Sequence, residues 1–449
     1  MGRLFGTDGV RGVANTQLTS KLAHKIGYAA TIKLTKDNDK APTFVVGMDT
    51  RISGDMIYAG LVSGIMSAGG NVLNAGIIPT PAVSVLVKEF NADSGIVISA
   101  SHNPYEYNGI KFFSKTGHKL PDEVEDEIER YIFDKVRDRN IVGDKVGRET
   151  KIAYPGDIYI KYLLSKLNID SLEGLNIVLD LANGATYKVG PEIFKKLGAN
   201  AVLIANDPNG VNINNKCGST SVKNLSSKVL ETNADFGIAF DGDGDRVIFV
   251  DDKGKEFDGD KIMYLLSCYL KDKGKLNKDT LVLTVMSNLG VKKALKAKGI
   301  NISETGVGDR YVVERMLEEG YNIGGEQSGH VIISDINSTG DGIATALLVC
   351  KAAKEYGKNV TELTKDLVIY PQVLVNATVN NDKKNDYDKD DVIVSAIKKI
   401  EEKYAGNGRV LIRTSGTEPL VRVMIEGENQ DEIKKDATVL AKLIEERLV

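Results

Sequence analysis

Short apolar runs alternate with stretches of helical periodicity along most of the chain, and three series of them follow one order. Each has a strand-like run, a helical stretch and a second run, then a third run that enters a glycine-rich loop and leaves by another apolar run. The first comprises Thr43 to Asp49, Asn71 to Ile77, and Gly95 to Ile98 entering SASHNPYEYNG and leaving along Ile110 to Phe113. The second comprises Asn176 to Asp180, Ala201 to Ile204, and Phe236 to Phe240 entering DGDGDR and leaving along Val247 to Asp251. The third comprises Thr280 to Val285, Ile300 to Glu304, and Tyr321 to Ile323 entering GGEQSGH and leaving along Val331 to Ser334. Strands separated by helices predict mixed, mostly parallel sheets covered on both faces, whose ligands bind beyond the carboxyl ends of the strands. Any one such loop is an ordinary turn; three in matching places are expected to face one cleft.

After Tyr370 and Pro371 the pattern changes to a strand, a loop of mixed charges, a helix from Val392, a hairpin around RTSGTEP and a closing amphipathic helix. The expected organisation is three similar α/β domains, at 1–150, 151–253 and 254–368, and a smaller α+β domain at 369–449.

Composition narrows the class. At 449 residues the chain exceeds what one core serves, and 42% apolar with 27% charged residues is ordinary for a globular protein. The 45 glycines depart from this and suit tight loops where backbone approaches a ligand. A net charge of −4, with signs interspersed, lacks the basic stripe that nucleic acid requires. Cys217, Cys268 and Cys350 are widely spaced and form neither a disulfide framework nor a zinc pattern, which fits a reducing compartment. No apolar run approaches the ~18 residues of a membrane span, and MGRLFGTDGVRG has no apolar targeting segment. A cytoplasmic chain that binds neither nucleic acid nor membrane is expected.

Asp241, Asp243 and Asp245 alternate with glycines, so their carboxylates can converge on one hard cation, and the chemistry points to Mg²⁺. An EF-hand is excluded, since Arg246 stands where its sixth-position Gly belongs and Asp252 where its twelfth-position Glu belongs. Ser101 stands where a strand opens into a loop, exposing a nucleophilic hydroxyl, with His102 beside it and Lys111 across the hairpin. Acyl hydrolysis competes with phosphoryl transfer here, but no G-x-S-x-G elbow is present. Glu326 and Ser328 suit sugar hydroxyls, and His330 suits proton transfer near neutral pH. Arg413, Ser415, Gly416, Thr417 and Arg422 compose an anion cradle. Arg11, Arg51 and Arg310, beside tight turns, are expected to extend the positive lining.

With SASHNP, DGDGDR, GEQSGH and RTSGTEPLVRVM in this order, the chain resembles the α-D-phosphohexomutases along its whole length. GTDGVRG, GIVISASHNP, GVGDRYV and Gln327 are similar to the phosphoglucosamine mutase branch; the phosphomannomutase/phosphoglucomutase branch tends to carry Met at that position. Tyr107 departs from the Asp usual there. The resemblance implies four domains around a central cleft, phosphorylation of Ser101, and one Mg²⁺ held by Asp241, Asp243, Asp245 and the Ser101 phosphate. It implies substrate contacts from Gln327 as well as Glu326, Ser328 and Arg310, and electrostatic help from Arg11 and Arg246. Proton transfer falls to Lys111 and His330. The implied partner is a small phosphosugar, with a hexose 1,6-bisphosphate as activator, and the implied assembly is a monomer or homodimer. Reorientation of a bisphosphate requires a movable distal phosphate site, so a hinge is expected near Tyr370. A sister mutase for mannose or glucose phosphates and a catalytically silent phosphosugar sensor are the alternatives.

Overall fold

Strands form where the apolar runs predict them. In the computed structural model, which describes residues 4–6, 9–37, 40–133, 141–415 and 418–449, the three series build three sheets of one topology. The first runs Val10–Val13, Tyr107–Ser114, Ser94–Ile98, Thr43–Met48, Asn71–Ile77, Glu149–Lys151. The second runs Glu256–Phe257, Val247–Val250, Phe236–Phe240, Asn176–Asp180, Asn200–Ile204, and the third Asn301–Thr305, Thr280–Thr284, Ile323–Gly325, Val331–Ile333. In each, the first strand lies between parallel neighbours, and the loop-bearing strand turns back into an antiparallel partner.

The central strands are buried along their entire length in Ser94–Ile98, Phe236–Phe240 and Thr280–Thr284. Burial on both faces is why they read as unbroken apolar runs rather than as alternation. Register then sets the loops: the last pairs before each turn are Ile98 with Ile110, Phe240 with Val247 and Gly325 with Val331. A slip of one residue would turn each loop-flanking side chain to the opposite face.

By packing, the chain divides into two compact units, residues 1–286 with 300–364, and residues 287–299 with 365–449. The second is an antiparallel sheet, Gln372–Thr378, Leu420–Glu426 and Arg409–Thr414, with helices Asp391–Tyr404 and Gln430–Leu448. Asp390 and Asn429 cap those helices through two backbone N–H groups each, a contribution of about 1 kcal/mol per cap. The unit also takes helix Leu289–Ala297 out of the third series. Asn288 accepts from the Gly290 and Tyr370 N–H groups and donates to the Tyr370 carbonyl at 2.9 Å. Gly290 permits this closeness, since a Cβ there would lie 1.7 Å from the Val368 carbonyl oxygen. Among the described residues, no helix is long and apolar enough to cross a membrane.

Candidate active site

Within the first unit, three glycine-rich loops meet. Ser101 adopts φ +50° at the turn after Ser94–Ile98 and is buried, a conformation that costs a non-glycine residue roughly 1 kcal/mol or more and must be held. Ser99 holds it from one side, accepting from the Ser101 N–H at 2.9 Å and donating to Asp49 at 2.6 Å. Arg51 holds it from below: its guanidinium donates to the carbonyls of Ser101 at 2.9 Å, Asn103 at 2.8 Å, Tyr107 at 3.0 Å and Pro104. Asn214, from the second series, donates to the Ser101 carbonyl at 2.8 Å and to Asn103 at 3.1 Å. Tyr107 takes part through its backbone, and its side chain is exposed.

Arg51 therefore corrects an expectation. It does not line a cleft with positive charge; its side chain is fully buried and paired with Asp49 at 2.8 Å. A desolvated guanidinium needs acceptors on every side, and the turning backbone after Ser101 supplies them.

The Ser101 hydroxyl donates to Asp241 Oδ2 at 2.6 Å. Asp241, Asp243 and Asp245 are all buried, with one oxygen of each within 4.8 Å of the others. Asp243 Oδ2 accepts from Thr80 at 2.7 Å and from Lys111 Nζ at 3.2 Å. Asp245 Oδ2 lies 3.7 Å from both Lys111 Nζ and His330 Nδ1. Among the described residues, the Oδ1 atoms of Asp243 and Asp245 are buried and make no hydrogen bond. Burial, then the Asp245 and Asp243 charges, push the Asp241 carboxyl well up. Burial also opposes ionisation of Asp245, but Lys111, His330 and Arg246 hold it below the usual range. Three crowded carboxylates with unpaired buried oxygens fit a hard divalent cation, which satisfies those oxygens and offsets the mutual repulsion.

The two candidate proton carriers sit against this cluster. Lys111 and His330 have side chains 3% and 4% exposed. Burial disfavours the charged ring of His330, yet Asp245 and Asp309 outweigh it and raise its pKa. His102 Nδ1 is 3.4 Å from the Ser101 hydroxyl, and burial, then Arg246 and Arg11, lower its ring to about 4, so it is neutral at pH 7. Arg246 follows the metal loop directly, its backbone N–H donating to Asp241 Oδ1 at 3.2 Å. Arg11 stands opposite Gly109, on the strand that pairs with the one leaving the Ser101 loop.

In the third loop, Glu326 accepts from the Gly308 N–H at 3.1 Å, Gln327 donates to Asp258 at 3.2 Å, and Ser328 is exposed at the tip. Arg310 turns toward helix Asp122–Phe133, pairing with Asp122 and, at 2.8 Å, with Glu314. Its neighbour Asp309 is the residue of that segment that approaches the cluster, 3.5 Å from His330 Nε2.

In the second unit, Arg413 and Arg422 stand directly opposite each other on paired strands. Burial and then Arg422 lower the Arg413 pKa, and the Nε atoms of both are buried without a hydrogen bond among the described residues. Ser415 receives the Glu418 N–H at 3.2 Å, and Lys384 donates to the Ser415 carbonyl at 2.9 Å. Two like charges in one cross-strand pair destabilise a sheet unless an anion joins them; Arg422 pairs with the Glu418 carboxylate at 3.0 Å. Gly416 and Thr417 lie outside the described residues.

Sequence reasoning missed Asp49, Thr80, Asn214, Asp309 and Lys384. Asp49 and Asp309 stood beside arginines already singled out in DTR and GDR; Thr80, Asn214 and Lys384 carry no local signal.

Comparison with known proteins agrees with this geometry. Models of the phosphoglucomutase/phosphomannomutase family match in chain order: α/β/α domain I at residues 2–138, domain II at 157–254, domain III at 258–370 and the C-terminal domain at 374–443. Fold and loops thus define a phosphohexomutase class. The chain is 55% identical to the phosphoglucosamine mutase of Caldicellulosiruptor bescii, with 100% of both covered, and 53% identical to that of Clostridium novyi, with 100% and 99% covered. It belongs to the phosphoglucosamine mutase family. Solved structures share the fold at lower identity. A phosphoglucomutase/phosphomannomutase family protein of Burkholderia thailandensis matches at TM-score 0.80 and 22% identity, covering 98% of this chain and 97% of that one. An N-acetylphosphoglucosamine mutase of Aspergillus fumigatus, solved with GlcNAc-6P and magnesium, matches at TM-score 0.72 and 17% identity, covering 99% and 96%.

Proposed function

We propose that the chain interconverts glucosamine 6-phosphate and glucosamine 1-phosphate through phospho-Ser101 and a 1,6-bisphosphate intermediate, in the supply of UDP-N-acetylglucosamine. The observation that carries this reading is the Ser101 hydroxyl seated on Asp241 at 2.6 Å, in a chain similar over its full length to phosphoglucosamine mutases.

In the forward direction, the O1 hydroxyl of glucosamine 6-phosphate attacks the phosphorus of phospho-Ser101; the Ser101 Oγ–P bond breaks and the hydroxyl proton passes to a base. After the bisphosphate turns over, Ser101 Oγ attacks the 6-phosphate, O6 leaves and takes up a proton, and glucosamine 1-phosphate is released. Lys111 and His330, both packed on the acidic cluster, are the candidates to hold and return that proton. The Ser101 hydroxyl donates to Asp241 Oδ2, which orients the oxygen that gives up and takes back the phosphoryl group. Arg11 and Arg246 flank the serine loop and face the charge of the phosphoryl group. Glu326, Gln327 and Ser328 orient the sugar, and Arg413, Ser415, Gly416, Thr417 and Arg422 bind the distal phosphate. Asp241, Asp243, Asp245 and the Ser101 phosphate would hold one Mg²⁺, which when bound neutralises charge on the transferring group. A hexose 1,6-bisphosphate acts as activator, and the reaction belongs to the cytoplasm.

A phosphomannomutase/phosphoglucomutase is the second reading, because the family models matched by all four segments carry those names. Turnover of glucosamine, mannose and glucose 6-phosphates, with Mg²⁺ and a trace of bisphosphate, followed by ³¹P NMR, separates the readings. Preference for glucosamine 6-phosphate is expected. Preference for another sugar transfers the chain to the sister activity, and turnover of none leaves a phosphosugar sensor.

A further inference from the structure

The segment GVGDR reaches the site through its carboxylate, not its guanidinium. Asp309 opens helix Asp309–Glu319; its Oδ2 accepts from Lys119 Nζ at 2.6 Å and lies 3.5 Å from His330 Nε2. The other ring nitrogen lies 3.7 Å from Asp245. His330 is thus set between two carboxylates, and Lys119 anchors the outer one.

The ring has little freedom to choose another arrangement. A Cβ at position 340 would lie 2.4 to 2.7 Å from three of its atoms, so Gly340 leaves room for this ring position and packs closely on it. Nε2 is buried and makes no hydrogen bond among the described residues. Among the described residues, the Asp309 carboxylate at 3.5 Å is the group of opposite charge that this nitrogen faces, and a buried polar nitrogen is costly to leave without one.

We infer that Asp309 is the positioning residue for His330: it fixes the ring's orientation between the two carboxylates, without touching the sugar. This rests on the mutase reading and goes beyond it. A carboxylate behind an imidazole performs this service wherever the ring must present one defined nitrogen to a reacting group. Here Nε2 faces Asp309 at 3.5 Å, and Nδ1 faces Asp245 of the acidic cluster, where phosphoryl transfer is proposed, at 3.7 Å. The carboxylate is in turn held by Lys119, so removing that lysine loosens the same ring at one remove.

The test uses the full-length enzyme with Mg²⁺, labelled with ¹⁵N at its 4 histidines, with His330→Asn assigning the resonances. In Asp309→Asn the His330 ring-nitrogen resonances move while those of His24 stay; kcat falls on the order of ten- to a hundredfold and KM stays within about threefold. Asp309→Glu restores part of kcat, and Lys119→Met, which spares the carboxylate, shifts both readouts in the same direction by less. Unmoved His330 resonances in both Asp309→Asn and Lys119→Met overturn the inference, as does a rise in KM with kcat intact. Failure of the mutase reading looks different: the wild type turns over no sugar phosphate, while the His330 resonances alone decide the pairing with Asp309.

Discussion

The guanidinium of Arg51 donates to the carbonyl oxygen of Ser101 at 2.9 Å across a sequence separation of 50 residues. Ser101 is held through its backbone by a buried cation from beyond the end of a neighbouring strand. Arg51→Ala leaves Asp49 buried without its partner, which is expected to lower stability by about 3–5 kcal/mol, visible in thermal denaturation. Arg51→Lys keeps the charge but not the planar fork, so its loss of kcat should exceed its loss of stability.

Ser101→Ala is expected to abolish turnover and to leave sugar-phosphate binding measurable by calorimetry. Full activity in that variant would falsify the phosphoserine mechanism.

Asp243→Asn removes one of three charges from the acidic cluster while leaving an acceptor for Thr80. The Mg²⁺ concentration for half-maximal activity should rise on the order of tenfold, because affinity at oxygen sites follows ligand charge. An unchanged Mg²⁺ titration would exclude Asp243 as a ligand.

The opposed Arg413 and Arg422 predict that phosphate stabilises the second unit. Inorganic phosphate should raise Tm in the wild type, and the rise should shrink in Arg422→Ala. The same variant should raise KM for the sugar phosphate about tenfold, with a smaller change in kcat.

Asp180 provides a pH dependence away from the metal cluster. Burial pushes its carboxyl up to about 6, against the N–H groups of Gly218 and Ala182. An unfolded Asp titrates near 3.9, so the folded state binds the proton more tightly, and the penalty of the buried carboxylate is present above about pH 6. As pH falls from about 6 to about 4 this residue should add on the order of 3 kcal/mol of stability. Denaturant titrations of the wild type and Asp180→Asn across that window should differ in slope; parallel curves would mean that Asp180 does not titrate there.

Tyr370, where the sequence suggests a hinge, is hydrogen-bonded to Asn288 inside the second unit. The chain passes between the units at 286/287, 299/300 and 364/365. Hydrogen exchange should therefore respond to bisphosphate at these crossings, with the Tyr370 amide unaffected; a response centred on Tyr370 would place the hinge where the sequence did.

What the sequence determined by itself is the repeated sheet and the glycine-rich loops that its strands carry. Strands buried on both faces cannot avoid showing as apolar runs, and glycine spacing in DGDGDR limits what three carboxylates can do. That Ser101, Asp241, Asp243, Asp245, Lys111 and His330 come together was legible because each lies in or across a hairpin from a loop with an unusual local composition. The tertiary structure decided which side chains serve as supports. Arg51 and Arg310 look alike in sequence, both beside tight turns, yet one is enclosed by four carbonyl oxygens and the other pairs with carboxylates of two helices. Asn214 reaches Ser101 from 113 residues away and Thr80 reaches Asp243 from 163. Whether a polar side chain faces water, a carbonyl cage or a carboxylate depends on what distant segments bring against it. Local pattern carries no record of that, because desolvation and hydrogen-bond satisfaction are settled only when the segments pack.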